Sequence, residues 1–237
     1  MWRLITAQPT GRHVPAYATC FGMRLDHVRA PQVISEVRQV WPIQKWRPVR
    51  TLSRTNGPAL RAAQAAGPAA VALDFGGVWP TRSALRYAGA LELELAFIEE
   101  PAPPGALTEL DRHPRPAPVA AGEHCYNVDE TAVLLAAGID VWQPDAVFCG
   151  GFTALRAIAA RAAKMELPTY PHGGGLIPAI HAAIAGDPIA LVEHHLLLEP
   201  RRQVHLGSPL LPGLDGQFGV PELPGWAGPL RTDLADG

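Results

Sequence analysis

Residues 69–123 read AAVALDFGGVWPTRSALRYAGALELELAFIEEPAPPGALTELDRHPRPAPVAAGE. Three short apolar runs within this stretch end in a carboxylate: VALD at Asp74, FIE at Glu99 and VAAGE at Glu123. The acids stand 25 and then 24 residues apart, close to one strand–helix repeat, since a βαβ unit takes roughly 30 residues. One acid at a strand end is an ordinary capping group, whereas three in register form a pattern. On successive strands of a parallel barrel they would lie side by side at the C-terminal mouth. Hard oxygen ligands held that way suit Mg²⁺.

The period extends in both directions. Short β-prone runs bounded by turn residues occur at PAYATC (15–20), PIQKWR (42–47), AAVALDF (69–75), LAFIEE (95–100), PVAAGE (118–123), IDVWQPD (139–145), PTYPH (168–172) and IALVEHHLLL (189–198). Between them lie Ala- and Leu-rich segments with helical spacing: ALRAAQAA, ALRYAGALELE, VDETAVLLAAG, FTALRAIAARAAKM and IPAIHAAIAG. Asn127 or Asp129 before one of these and Gly138 after it supply start and stop signals. The link from the first run to the second reads as weakly helical, because Pro31 and β-branched residues interrupt it. Strands alternating with helices predict a parallel sheet, and eight such units without a long linker predict closure into a barrel. The expected fold is an α/β barrel of the (β/α)8 or (β/α)7β type.

Size and composition agree. The chain has 237 residues, and such a barrel takes about 250. Apolar residues make up 48% and charged residues 18%, enough for a large core and against disorder away from the ends. The formal net charge of −2, without a basic run, gives no reason to expect nucleic acid. Three scattered cysteines, Cys20, Cys125 and Cys149, lack metal-type spacing and point to a reducing compartment. No stretch is apolar for the 18 or so residues a membrane span needs. A cytoplasmic protein without membrane or nucleic-acid partners is the expectation.

In barrel enzymes the C-terminal strand ends carry the reactive groups. Here they read Lys45 and Arg47, Asp74, Glu99, Glu123, Asp145, His172 and Glu193. Asp74, Glu99 and Glu123 are the candidate metal ligands. Asp145 and His172, on neighbouring strands, would form a carboxylate–imidazole pair in which the acid fixes the tautomer and raises basicity.

Taken together, Asp74, IEEP (98–101), AAGE (120–123), WQPD followed by CGG (142–151) and YPHGGG (170–175) resemble the mandelate racemase branch of the enolase superfamily. AGEHCY and QPDAVFCGGFTALRAIA look most like its acid-sugar dehydratases, such as rhamnonate dehydratase. The resemblance runs over roughly residues 12 to 225. It implies Mg²⁺ on Asp74, Glu99 and Glu123, with proton transfer by His172 and Asp145. Lys45 resembles the first lysine of a Lys-x-Lys strand, and Glu193 an eighth-strand acid that polarises the substrate carboxylate. His124 and Arg47 would contact substrate. The implied activity is a hydro-lyase of carbohydrate acid catabolism. It removes an α proton next to a carboxylate, with the enolate stabilised by metal, and eliminates a β-hydroxyl to give a 2-keto-3-deoxy acid. The partner is a sugar-acid carboxylate, and the family habit implies a homo-oligomer.

The sequence departs from this pattern in two places. Arg47 occupies the second lysine position, and a guanidinium that stays protonated is a poor base, which counts against racemisation. The family's N-terminal α+β capping domain is expected to be absent, because the first expected strand begins near residue 14. The reading divides the chain into a leader (1–12), the barrel (13–200) and an irregular, cap-completing tail (201–237). A catalytically impaired fragment and a racemase or epimerase of the same branch stand as the alternatives.

Overall fold

A computed structural model describes residues 1–11, 13–20, 28–37, 39–48, 61–62, 65, 70–127 and 130–231. After a 3₁₀ turn at Trp2–Leu4 come β1 (His13–Thr19), α1 (Ala30–Val37), β2 (Ile43–Trp46), β3 (Ala70–Asp74), α2 (Thr81–Ala90) and β4 (Leu95–Glu99). A 3₁₀ helix at Pro104–Arg112 leads to β5 (Val119–Ala121), α3 (Thr131–Ala136), β6 (Val141–Trp142) and α4 (Phe152–Lys164). The 3₁₀ turn Gly173–Gly175 opens into α5 (Leu176–Ile184), followed by β7 (Val192–His195), α6 (Glu199–Arg202), the turn Gln203–His205 and β8 (Gln217–Gly219). The strands run β6-β5-β4-β3-β2-β1-β7, each pair parallel. The segment 168–172 closes the ring. Trp142 N donates to Pro168 O at 2.9 Å, Tyr170 N to Trp142 O at 2.9 Å, and Ala190 N to Thr169 O at 3.1 Å. The α/β barrel expected from the sequence is present.

The barrel interior explains why polar groups collect at one end. Tyr17, Ala72, Phe97, Ala120 and Val141 pack inside it with Ile43, Tyr170 and Leu191 against them. Strand side chains alternate with a period of two. Two residues beyond each of these stand Thr19, Lys45, Asp74, Glu99, Gln143, His172 and Glu193. The same alternation that fills the core therefore delivers the polar residues to the C-terminal mouth. β5 is the exception. Two residues after Ala120 stands Gly122, with φ at +131°, and a Cβ there would lie 2.7 Å from the Trp142 ring. The glycine changes the phase by one residue, so the mouth receives Glu123.

Some sequence expectations need correction. The seventh run, PTYPH, forms a single bridge at Thr169 rather than a strand, because Pro168 and Pro171 have no N–H to give a ladder. The first link contains a true helix, α1, since Pro31 falls in its first turn, where no intrahelical donor is lost. Within the tail, β8 pairs antiparallel with the start of β1, Val14 against Phe218. In the leader, Trp2 is buried, its Nε1 donating to Pro221 O at 3.0 Å. The helix expected at ALRAAQAA (59–66) lies outside the described residues except at 61, 62 and 65. Among the described residues no helix is long and apolar enough to cross a membrane.

Candidate active site

Lys45 is the hub of the mouth. Fully buried, its Nζ lies 2.6 and 2.7 Å from the two Glu99 oxygens and 2.9 Å from Glu193 Oε1. Burial alone would depress the ammonium, but Glu193 and Glu99 outweigh it and hold the lysine above its ordinary range. Glu193 also accepts from the Thr19 hydroxyl, from Tyr17 OH at 3.2 Å and from Gly173 N at 3.0 Å. Burial would raise this carboxyl as well; Lys45, His172 and Thr19 reverse that and keep it ionised. Glu193 therefore pairs with Lys45 as a carboxylate at the end of β7. Gln143 Nε2 donates to Glu99 Oε2 at 2.8 Å and to Tyr17 OH at 3.1 Å. Tyr17, Thr19 and Gln143 were not singled out from the sequence. Their signal was the two-residue step from the interior, legible only with the strand phase known.

The carboxylate–imidazole pair forms as expected. His172 Nδ1 lies 2.6 Å from Asp145 Oδ2, and Asp145 Oδ1 accepts from Val147 N at 2.7 Å. Asp145 is fully buried. Gly174 makes the approach possible, because a Cβ there would stand 2.1 Å from Asp145 Oδ2. Gly174 is thus a steric requirement of the pair, while Gly173 and Gly175 make room for Glu193 and Ala146. The other imidazole nitrogen, Nε2, lies 2.9 Å from Glu123 Oε2. Burial disfavours the imidazolium, but Glu193, Asp145 and Glu123 together hold it well above the ordinary histidine range. Glu123, which burial would raise, is pulled below the carboxylate range by the same histidine.

The three expected metal ligands end adjacent strands, with Asp74 opposite Glu99 and Glu99 opposite Ala120. Their carboxylates are turned toward separate partners. Asp74 Oδ2 lies 3.3 Å from Arg47 and its Oδ1 accepts from Gly76 N at 2.7 Å. Glu99 faces Lys45, and Glu123 faces His172. Among the described residues, the group whose ligand atoms lie within 4.8 Å of one another is Glu99, His172 and Glu193, not Asp74, Glu99 and Glu123. The physical reason is that a buried carboxylate takes the nearest positive charge. Burial pushes the Glu99 carboxyl above its ordinary range; Lys45 opposes this, and crowding by Asp74, Glu193 and Glu123 adds to it. So many oxygens around one ammonium suit a hard divalent cation. Arg47 is largely exposed beside Asp74. His124, about a third exposed, lies 3.7 Å from both Glu100 Oε2 and Glu123 Oε1. The Glu100 carboxylate raises its imidazole above the ordinary range.

Residues 35–233 match the family model for enolase C-terminal domain-like proteins. The chain belongs to that family. Its fold is similar to a candidate dehydratase from Mesorhizobium loti, at 22% identity and a TM-score of 0.77 over 98% of this chain and 68% of that one. An enolase of the mandelate racemase subgroup from Agrobacterium tumefaciens aligns at 21% identity with a TM-score of 0.78, covering 98% and 67%. A mandelate racemase/muconate lactonizing enzyme-like protein from Rubrobacter xylanophilus aligns at 24% with a TM-score of 0.71, covering 92% and 66%. This member of the enolase C-terminal domain-like family therefore spans about two thirds of the length of those structures.

Proposed function

We propose that the mouth is a Mg²⁺-dependent acid-sugar dehydratase site, with Asp74, Glu99 and Glu123 as the ligands. The observation that carries this reading is the position of His172, between Asp145 at 2.6 Å and Glu123 at 2.9 Å. With Nδ1 engaged by Asp145, Nε2 is the nitrogen left to meet the α carbon of a substrate held by those acids. Glu193 and His172 fit the ligand role less well, since one is wrapped in four donors and the other is already paired with Asp145 and Glu123. A divalent cation would stabilise the charge that a substrate carboxylate gains as its α proton leaves. His172 in its neutral form takes that proton on Nε2, and Asp145 stabilises the resulting imidazolium. The same proton then passes to the β-hydroxyl as the C–O bond breaks, and water leaves. The enol product tautomerises to a 2-keto-3-deoxy acid. Arg47 offers a guanidinium, which is a poor base, so the second face has none there, and this disfavours racemisation or epimerisation.

A second reading, a catalytically impaired chain, is favoured by the rim. Tyr126 and Phe148, in loops beyond β5 and β6, are 56% and 51% exposed, so among the described residues nothing covers these two rings, and water exclusion is what such chemistry needs. One experiment separates the two: Mg²⁺ titration by calorimetry on the native chain and on Glu99→Gln, followed by incubation with aldonic and aldaric acids. Metal binding lost in the variant, with 2-keto-3-deoxy products from the native chain, supports the dehydratase. Metal binding without turnover across the panel supports the impaired chain, and no binding at all overturns both.

A further inference from the structure

We propose that Glu100 is a positioning residue, which holds the one-residue phase change at Gly122 and so determines that Glu123 faces the mouth. Glu100 follows Glu99 directly, yet its carboxylate does not join the Lys45 cluster. Its φ of +41° turns the chain at that point, a conformation L-residues seldom adopt. The side chain is 99% buried and reaches across to β5, where Oε1 accepts from Gly122 N at 2.9 Å. Its Oε2 has no hydrogen-bond partner and faces His124 Nδ1 at 3.7 Å. A cavity of about 180 Å³, lined in part by Leu107, Cys125 and Leu134, adjoins it. The carboxylate's direction is therefore set by polar contact more than by packing.

The arrangement gives Glu123 two flanking imidazoles, each facing a buried carboxylate: His172 before Asp145 and His124 before Glu100. On the other strands the alternation of side chains delivers the mouth residue without help. On β5 alternation would deliver Gly122, and the turn that substitutes Glu123 needs an acceptor for the Gly122 amide. Glu100 is that acceptor. Its consequence for metal affinity rests on the proposed role of Glu123; its geometric part does not.

The test uses the full chain, ¹⁵N-labelled, as native protein, Glu100→Ala and Glu100→Gln, with far-UV circular dichroism as the check on folding. Glutamine keeps an oxygen able to accept from Gly122. The Gly122 amide proton is expected downfield in the native chain and in Glu100→Gln, with the His172 Nε2 resonance common to both. In Glu100→Ala the amide proton should move upfield and the Nε2 resonance should shift as Glu123 leaves it. Unmoved signals in a folded Glu100→Ala would overturn the proposal, as would a Glu100→Gln that behaves like the alanine. If the alanine variant does not fold, Glu100→Asp, one methylene too short for the same bond, takes its place with the same expected shifts. Mg²⁺ affinity should fall about tenfold or more in Glu100→Ala, the usual range for lost supporting contacts, and recover in Glu100→Gln. A native chain that binds no Mg²⁺ would remove the metal reading alone, and the resonances would still decide the positioning.

Discussion

The imidazole of His172 donates toward Glu123 across 2.9 Å while its other nitrogen rests 2.6 Å from Asp145. A positive imidazolium and a divalent cation would compete for the same Glu123 carboxylate. Mg²⁺ affinity is therefore expected to rise with pH through the His172 pKa, which lies above the ordinary value of about 6.5. Turnover should follow the same limb, since the base must be neutral. In His172→Asn the pH dependence of Mg²⁺ binding should flatten and turnover should drop by about 10²- to 10⁴-fold. Calorimetry at a series of pH values checks the first expectation, and an affinity that falls with rising pH would contradict it.

Lys45 neutralises two buried acids at once. In Lys45→Met, Glu99 and Glu193 would face each other with no counter-charge, at a cost on the order of 3–5 kcal/mol in stability. Urea unfolding should show that loss, and saturating Mg²⁺ should restore part of it by mass action. A variant as stable as the native chain without Mg²⁺ would show that the ammonium is not the counter-charge.

His194 is one residue further along β7 and faces outward. Its ring stacks on Trp41 at 5.3 Å between centroids and 8° between planes, and its Nδ1 has no hydrogen-bond partner. Burial lowers its pKa to about 4. With the folded value below the unfolded one, the unfolded chain binds more protons between about pH 6.5 and 4, so stability is full above that window and falls as pH drops through it. The loss by pH 4 is on the order of 3 kcal/mol. His172 adds no slope in the lower part of that window, where its raised folded pKa leaves it protonated in both states. His194→Phe should flatten the acid limb of thermal stability between pH 6.5 and 4, and an unchanged limb would assign the loss to other groups.

Gly174 leaves no room for a methyl group beside Asp145. Gly174→Ala should displace the carboxylate from His172 and lower turnover by about 10²-fold, the scale of a misplaced reacting group. Mg²⁺ affinity should change little, since Gly174 touches none of the three proposed ligands. Equal losses of turnover and metal affinity would mean that the whole mouth had collapsed instead.

Arg47 bears on stereochemistry. In D₂O, deuterium incorporation with inversion at the substrate α carbon should be undetectable in the native chain, because a guanidinium does not serve as base on the second face, whereas exchange with retention needs His172 alone. Deuterium wash-in with inversion, read by NMR, would restore the racemase alternative.

Much of this was legible in the chain itself. The 24- to 25-residue period of Asp74, Glu99 and Glu123 predicted strand ends, and these residues end β3 and β4 or follow β5. WQPD and PHGGG placed Asp145 beside His172. The seventh strand was over-read because Thr169 and Tyr170 carry β propensity, while the flanking prolines decide how many ladder bonds can form. Glu100 was passed over because sequence shows two adjacent glutamates and not that a positive φ sends the second one elsewhere. Tyr17, Thr19 and Gln143 carry no signature outside the phase of their strands.

The sequence by itself determined the alternation of strand and helix, the end of the barrel that would be polar, and the residue types gathered there. These follow from local rules: a period of two along strands, helical spacing between them, and turn residues at the joints. Tertiary structure alone decided the pairings. Lys45 took Glu99 and Glu193, Asp74 took Arg47, and Glu123 took His172. Which charge meets which in a low-dielectric mouth depends on distances across strands that are far apart in sequence, and the desolvation of each group is set only when the barrel closes.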